Sequence, residues 1–290
     1  MYHLIINREN CKKKQKQLNA VKKVFENAGK EFKLHVTDLK DDVRKITAEI
    51  TSEAGNDIIV LGGDGTLHDV LNSFVDFEGN SLGIIPLGTG NDFAESAHIP
   101  TDPVKAAELI VNGEAKFVDF IELENGLKSL NAFGIGIDVD VLERTYKGKS
   151  NKRSKYLHAL IVSLIKFKSH NFTVRYNGKE ETHFGLIAAV GNGRQFGGGI
   201  KMFPGAVVND GYLNLIIVDF ISKIKMISAF LKLMKGRIDK VKQVKYVKVK
   251  EVEFIPDDKS YYMQADGELY KDVPLKAKIV ENKLKFYSAI

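Results

Sequence analysis

Two short apolar runs, over residues 57–61 and 82–86, each end in a glycine-rich turn, and no other feature restricts the fold as much. The first passes into Gly62-Gly63-Asp64-Gly65-Thr66, the second into Leu87-Gly88-Thr89-Gly90-Asn91-Asp92-Phe93-Ala94. An apolar run of this length bounded by turn residues reads as a strand buried on both faces, the kind found in parallel sheets. Its neighbours agree: 2–6 and 32–36 read as strands, and 12–28, 41–52, 69–74 and 103–112 as helices. Strands alternating with helices at this spacing predict an α/β domain over 1–122, its parallel sheet covered on both faces. Ligands of such sheets sit at the carboxyl ends of the strands, where both turns lie.

From about residue 123 the pattern becomes short alternating strands at 172–176, 184–190, 213–218 and 247–254, separated by Gly, Asn and Asp. Helical stretches at 154–167 and 222–235 interrupt them, and 275–280 with 284–288 reads as a closing hairpin. The expectation is a second, β-rich domain over 123–290, β-sandwich-like, with the active site in the cleft between the two domains. A length of 290 residues suits two domains, and a hydrophobic fraction of 44% with 28% charged residues is that of a globular protein. The single cysteine, Cys11, excludes an intramolecular disulfide and Cys-rich zinc patterns and fits a reducing, cytoplasmic compartment. The start of the chain lacks the long apolar region of a signal peptide. The apolar run 157–167 is far below the roughly 18 residues needed to span a bilayer, so no transmembrane segment is expected.

The chemistry of the turns is specific. Three glycines let backbone N–H groups approach a polyphosphate closely, and a following helix adds the positive end of its dipole. Thr66 offers a hydroxyl. The Asp64 carboxylate would repel phosphate unless a cation lay between them, which implies Mg²⁺. A tight turn that merely needs Gly and Asp is the plainer explanation of one such loop, but two on neighbouring strands point to one nucleotide, with Asp64 and Asp92 near its phosphates. Neither a Walker A sequence nor a full dinucleotide Gly-x-Gly-x-x-Gly fingerprint occurs, which disfavours P-loop and nicotinamide-cofactor readings.

Gly-Gly-Asp-Gly-Thr-Leu-His-Asp-Val-Leu-Asn (62–72) with Pro-Leu-Gly-Thr-Gly-Asn-Asp-Phe-Ala (86–94) resembles the catalytic domain of diacylglycerol kinases and their bacterial lipid kinase relatives. Residues 131–138, Gly197-Gly198-Gly199, Phe203-Pro204-Gly205-Ala206, Asn209-Asp210-Gly211-Tyr212-Leu213 and Asp266-Gly267-Glu268 match later landmarks in order, so the likeness covers essentially the whole chain. The resemblance implies an ATP-dependent lipid kinase with an NAD-kinase/diacylglycerol-kinase-like fold. It implies ATP held by Asn7, Thr37, the turn Gly62, Gly63, Asp64, Gly65, Thr66, Leu67 and His68, and Thr89, Asn91 and Asp92. It further implies Asp64, Asp92 and Asp119 in a water network around catalytic Mg²⁺. One departure stands out: relatives carry Asn-Pro-x-x-Gly after the first strand, whereas this chain has Asn7-Arg8-Glu9-Asn10. By the same likeness a homodimer is an expected state, on which the residues themselves are silent.

Glu268 follows Asp266-Gly267, a turn that could push its carboxylate into a cleft; by spacing alone it reads as a solvated hairpin glutamate. The family likeness makes it the general base that takes the proton of the acceptor hydroxyl. Asp210-Gly211 reads as a plain turn, to which the resemblance adds a structural Mg²⁺ bound by Asp210 with carbonyls near Val207 and Tyr212. The seven histidines, among them His68, His158 and His183, lack metal-ligand spacing.

Two rivals stand beside the lipid kinase. NAD kinases share Gly-Gly-Asp-Gly-Thr but lack the 86–94 turn, and a non-catalytic nucleotide sensor is disfavoured by the presence of Asp64, Asp92, Asp119 and Glu268. No nucleic-acid-binding module is visible. The net charge is only +6, with 43 Lys and Arg against 37 Asp and Glu, yet the second half is strongly basic. Lys147, Lys149, Lys152, Arg153, Lys155, Lys166 and Lys168 include no acidic residue among them. Ten basic residues from Lys223 to Lys250 face only Asp239. Such segments are drawn to anionic membrane surfaces by about 1 kcal/mol per Lys or Arg near the lipid, an attraction salt screens. The expectation is peripheral docking on the inner face of the cell membrane. Met226, Phe230 and Leu233 fit a core-facing stripe equally well, which would make the second stretch an ordinary packed helix.

Overall fold

Leu4, Ile5 and Ile6, Ile58 through Leu61, and Leu82, Ile84 and Ile85 are apolar runs with essentially no exposed surface, and only a sheet covered on both faces satisfies them. In the computed structural model, which describes residues 1–146, 153–258 and 260–290, these runs are parallel strands. Their order is Phe32–Thr37, Tyr2–Asn7, Asp57–Gly62, Ser81–Pro86 and the end of Lys276–Tyr287. Ile5 lies opposite Val60, and Val60 opposite Ile84. These strands and their helices form one compact unit, Met1–Asp119 with Glu281–Ile290; Phe120–Val280 forms another. The last ten residues join the first unit because Lys285 and Phe286 pair in parallel with Ser81 and Leu82. The terminal hairpin expected at 275–288 is instead one strand, Lys276–Tyr287; the polar Glu281-Asn282-Lys283 that reads as a turn is a local irregularity, with Asn282 at φ 54°.

Of the four helices expected in the first unit, two follow their signals and two do not. Pro103–Asn112 begins where Asp102 accepts from the amides of Val104 and Lys105, both at 3.0 Å, with Pro103 in the first turn. The helix expected over 12–28 is two, Arg8–Lys13 and Gln15–Asn27, the second burying Leu18, Val21 and Phe25. The helix expected over 69–74 is Asp64–Leu71, so Gly65 and Thr66 lie in its first turn rather than in a loop.

The second unit is built on period-2 alternation. Along Lys179–Gly191 and Leu213–Asp219, Ile187, Ala189, Ile216 and Val218 face one core, and Ala188, Val190, Leu215 and Ile217 face another. The second core is closed by Phe172, Val174, Val252, Phe254 and Ala277 from other strands, as in a sandwich. The first is closed by the helices Ile137–Tyr146, Arg153–Lys166 and Lys223–Met234. The strand expected over 247–254 divides into Val244–Val249, paired with Leu213–Asp219, and Glu251–Pro256, paired with His170–Tyr176. No described helix is long and apolar enough to cross a membrane.

Candidate active site

The two glycine turns are locked together. The amides of Leu87 and Gly88 donate to the carbonyl of Gly62 at 2.8 and 3.1 Å, so the second turn hangs from the end of the first strand. Gly63 and Gly88 pack backbone to backbone: a Cβ on Gly88 would stand 2.6 Å from Gly63 Cα. The Asp64 carboxylate then reaches across, accepting from the amides of Asp92 at 3.1 Å and Phe93 at 3.3 Å. These are the first amides of the short helix Asp92–Ser96, whose cap, Asn91, holds φ at 53° and ψ at 44°. Asn91 donates to Gly88 O at 3.0 Å, while its own side-chain oxygen is buried without a partner. Thr89 is exposed at the rim and Thr66 is half-buried.

Asn7 and Thr37 stand opposite one another at the ends of the two neighbouring strands. Asn7 Oδ1 accepts from the Asn10 amide at 2.7 Å and caps the helix Arg8–Lys13, which takes the place of the Asn-Pro-x-x-Gly turn; Arg8 is tied to Asp38 at 2.5 Å. The buried Thr37 hydroxyl donates to Ile6 O at 3.4 Å. Leu67 and His68 are buried at 2% exposure, so their side chains face the interior rather than the open side of the turn. Asp69, next to them, is a buried carboxylate held by Arg44 at 3.0 Å.

Asp92 and Asp119 are also buried carboxylates, at 5% and 3% exposure. Among the described residues no three His, Cys, Asp or Glu side chains gather into a metal-binding group, so Asp64, Asp92 and Asp119 form no ready cage. A cage is not required for Mg²⁺, which binds one or two carboxylates and completes its shell with water and substrate phosphate. The hard carboxylate oxygens of Asp64, within a glycine-lined turn, have the right donor chemistry for it.

In the second unit Asp266 and Gly267, at φ 51° and 85°, form a two-residue turn of the I′ kind between Tyr262–Ala265 and Glu268–Lys271. The Asp266 carboxylate accepts from Ser129 Oγ at 2.6 Å and from the amides of Leu130, Asn131 and Ala132 at 3.0, 2.9 and 3.2 Å. Gln264 Oε1 accepts from the Gly267 amide at 3.1 Å, and Tyr146 donates to Gly267 O at 2.5 Å. Glu268 is therefore presented, half-buried, by a turn pinned on three sides. Partial burial and the nearby Glu268 carboxylate push the Tyr146 hydroxyl up to about 12. Asp138, fully enclosed, has its carboxyl pushed up to about 7 by burial, against the opposing pull of the Val139 amide and the Gln264 side chain. No motif in the sequence marks Tyr146 as a neighbour of Glu268; its signal is only spatial.

Asp210 is satisfied as a turn residue: its carboxylate accepts from the Tyr212 amide at 3.1 Å and pairs with Lys248 at 2.5 Å. Lys248 and Lys250 both lie over the Tyr212 ring, 5.5 Å from its centre. A divalent ion at Asp210 and Val207 would have to displace Lys248, so this site fits the metal less well than the turn at Asp64.

Residues 1–123 match the diacylglycerol kinase catalytic domain, and residues 131–288 the YegS C-terminal NAD kinase beta sandwich-like domain. The chain is 34% identical over 204 residues to the "Probable lipid kinase YegS-like" of Yersinia enterocolitica, covering 68% of each. In fold it is similar to a diacylglycerol kinase from Bacillus anthracis, with a TM-score of 0.75 at 22% identity over 99% of this chain and 96% of that one. It is more distantly similar to an NAD kinase from Archaeoglobus fulgidus, with a TM-score of 0.51 at 13% identity over 99% and 92%. The N-terminal α/β unit with its paired glycine turns and the β-sandwich-like unit with its pinned Asp-Gly-Glu hairpin together place the chain in the YegS-like bacterial lipid kinase branch of the diacylglycerol kinase family.

Proposed function

We infer that the protein is an ATP-dependent lipid kinase that transfers a phosphoryl group to a lipid hydroxyl. The observation that carries the reading is the locked pair of turns: Gly62 O bound by the amides of Leu87 and Gly88, and the Gly63–Gly88 backbone contact that a side chain on Gly88 would break. Side-chain-free backbone at the carboxyl ends of adjacent parallel strands is what close approach to polyphosphate requires. Phosphoryl transfer asks the protein mainly for positioning and charge stabilisation. The turn 62–66 with Thr89 orients ATP, with Asn7 and Thr37 at the neighbouring strand ends. Mg²⁺, held by Asp64 with Asp92 and Asp119 behind it through water, would neutralise charge on the phosphates.

Glu268 takes the proton of the acceptor hydroxyl as the bond to phosphorus forms, a role its carboxylate suits because the pinned hairpin limits its motion. The lysine-bearing helices of the second unit dock the protein reversibly on an anionic membrane surface; of the first basic stretch, Lys147, Lys149 and Lys152 lie outside the described residues. The test is phosphoryl transfer from radiolabelled ATP across diacylglycerol, phosphatidylglycerol, sphingoid base, polyprenol and NAD. Label in a lipid and none in NAD is the expected result; label in NAD alone would replace the reading with NAD kinase, and label in neither would refute it.

A further inference from the structure

A helix that sends one stripe into a core is ordinarily polar on its other side. Lys223–Met234 buries Ala229 and Leu233 and half-buries Met226 and Phe230 against the first core of the second unit. On its opposite side Ile224, Ile227, Leu231 and Met234 are 89%, 68%, 54% and 39% exposed. Their spacing of three, four and three residues makes a second apolar stripe. Beside it in sequence, exposed Phe220 packs against exposed Phe184 with ring centres 5.9 Å apart, and the Phe220 amide donates to Phe184 O at 2.9 Å. The helix Arg153–Lys166, which closes the same core through Ala159 and Leu160, also leaves Ile161 and Ile165 exposed one turn apart. Single exposed apolar residues are ordinary, whereas contiguous ones mark a contact.

Charge selects the contact. The polar positions around the stripe include exposed Lys223, Lys225 and Lys235, and the helix contains no acidic residue. An isologous dimer across this face would set lysine against lysine. An anionic bilayer instead receives the apolar side chains at the acyl boundary and the ammonium groups among its headgroups. We propose that the outer stripe of Lys223–Met234, with Phe184 and Phe220, inserts into the surface of an anionic bilayer. The inference rests on the lipid kinase reading for its choice of occupant and adds apolar insertion to the electrostatic docking.

The chain contains no tryptophan, so Ile227→Trp in the full-length protein gives a unique fluorophore on the stripe. Its emission should shift to the blue on adding phosphatidylcholine vesicles containing phosphatidylglycerol, and brominated acyl chains should quench it. The combined variant Ile224→Ser, Ile227→Ser, Leu231→Ser should lose at least tenfold in vesicle partitioning at both low and high salt. Lys223→Ala, Lys225→Ala, Lys235→Ala should lose it chiefly at low salt. Unshifted emission, serine-variant partitioning within twofold of wild type, or no vesicle binding by the wild type would each overturn the proposal. So would loss of self-association in the serine variant with vesicle binding unchanged, which would give the face to a second copy. Vesicle binding is read without ATP, so it is separate from the kinase reading. That reading fails on its own if neither wild type nor variant phosphorylates detergent-dispersed lipid.

Discussion

Gly88→Ala tests the locked turns most directly. The added methyl would stand 2.6 Å from Gly63 Cα, 2.8 Å from Asn91 Oδ1 and 3.2 Å from Gly63 N. Carbon atoms rest at about 3.5 Å, so the turns would have to part by about 0.9 Å. The two bonds to Gly62 O, now 2.8 and 3.1 Å, would then lie at about 3.7 and 4.0 Å, beyond hydrogen-bonding range. Losing both, at about 1 kcal/mol each, gives a destabilisation of about 1–3 kcal/mol, the range of an overpacked core. A displacement of about 1 Å in a positioning loop can lower turnover about a hundredfold. Gly63→Ala should be milder, since its nearest contact is 3.1 Å, and Gly205→Ala, at 3.5 Å from Tyr246 Oη, serves as the neutral control. Urea unfolding, calorimetric binding of a non-hydrolysable ATP analogue and lipid phosphorylation would be compared. If Gly88→Ala matched Gly205→Ala in all three, the turns would not act as a rigid pair.

Asp64→Asn keeps an oxygen for the Asp92 or Phe93 amide but removes the charge, so turnover with Mg²⁺ should fall by about a hundredfold or more while stability changes by no more than about 2 kcal/mol; near-wild-type turnover would exclude it from the metal network. Glu268→Gln should lower kcat with KM for ATP unchanged, because a base acts on the acceptor hydroxyl; a change confined to ATP binding would take Glu268 out of that role. The Asp138 carboxyl, raised from 3.8 to about 7, keeps its proton in the native state where the unfolded chain has released it. Stability should therefore fall as pH rises from about 4 to about 7, with a slope of at most about 1.4 kcal/mol per pH unit, and level off above. Asp138→Asn should flatten that profile in urea titrations at pH 5 and pH 8, and an unchanged slope would assign it to another group.

Much of the first unit is legible because buried parallel strands are unbroken apolar runs and helices announce their ends, as Asp102-Pro103 does. The misplaced helix Asp64–Leu71 has a physical cause. Asp64, Gly65 and Thr66 are weak helix formers, and local propensity assigns them to a turn. What holds them helical is tertiary: Asp64 bonds to amides 28 and 29 residues away. The same limit applies to Lys223–Met234. Met226, Phe230 and Leu233 give a core-facing stripe, but Ile224, Ile227 and Leu231 fit the helical period equally well, so periodicity alone cannot say which face is buried.

The structure also sorts the expected ATP residues by what their groups already do. The amides of Asp92 and Phe93, which a helix N-terminus would otherwise offer to an anion, are taken by Asp64. Leu87 and Gly88 have spent theirs on Gly62 O, and Asn7 Oδ1 is engaged by the Asn10 amide. In the proposed ATP site the second turn would therefore act through shape and through the exposed Thr89 more than as a nest of amide donors. Its role is to brace the first turn. In the proposed site Asp64 would be the hinge of that arrangement, because the carboxylate that holds the second turn would also be the one whose charge calls for a cation beside phosphate. Binding of such a cation and ordering of the Asp92–Ser96 helix would then draw on the same two oxygens. Metal affinity should consequently respond to substitutions at Phe93 or Asn91 that never touch the ion, whereas a ligand independent of the turn would not register them.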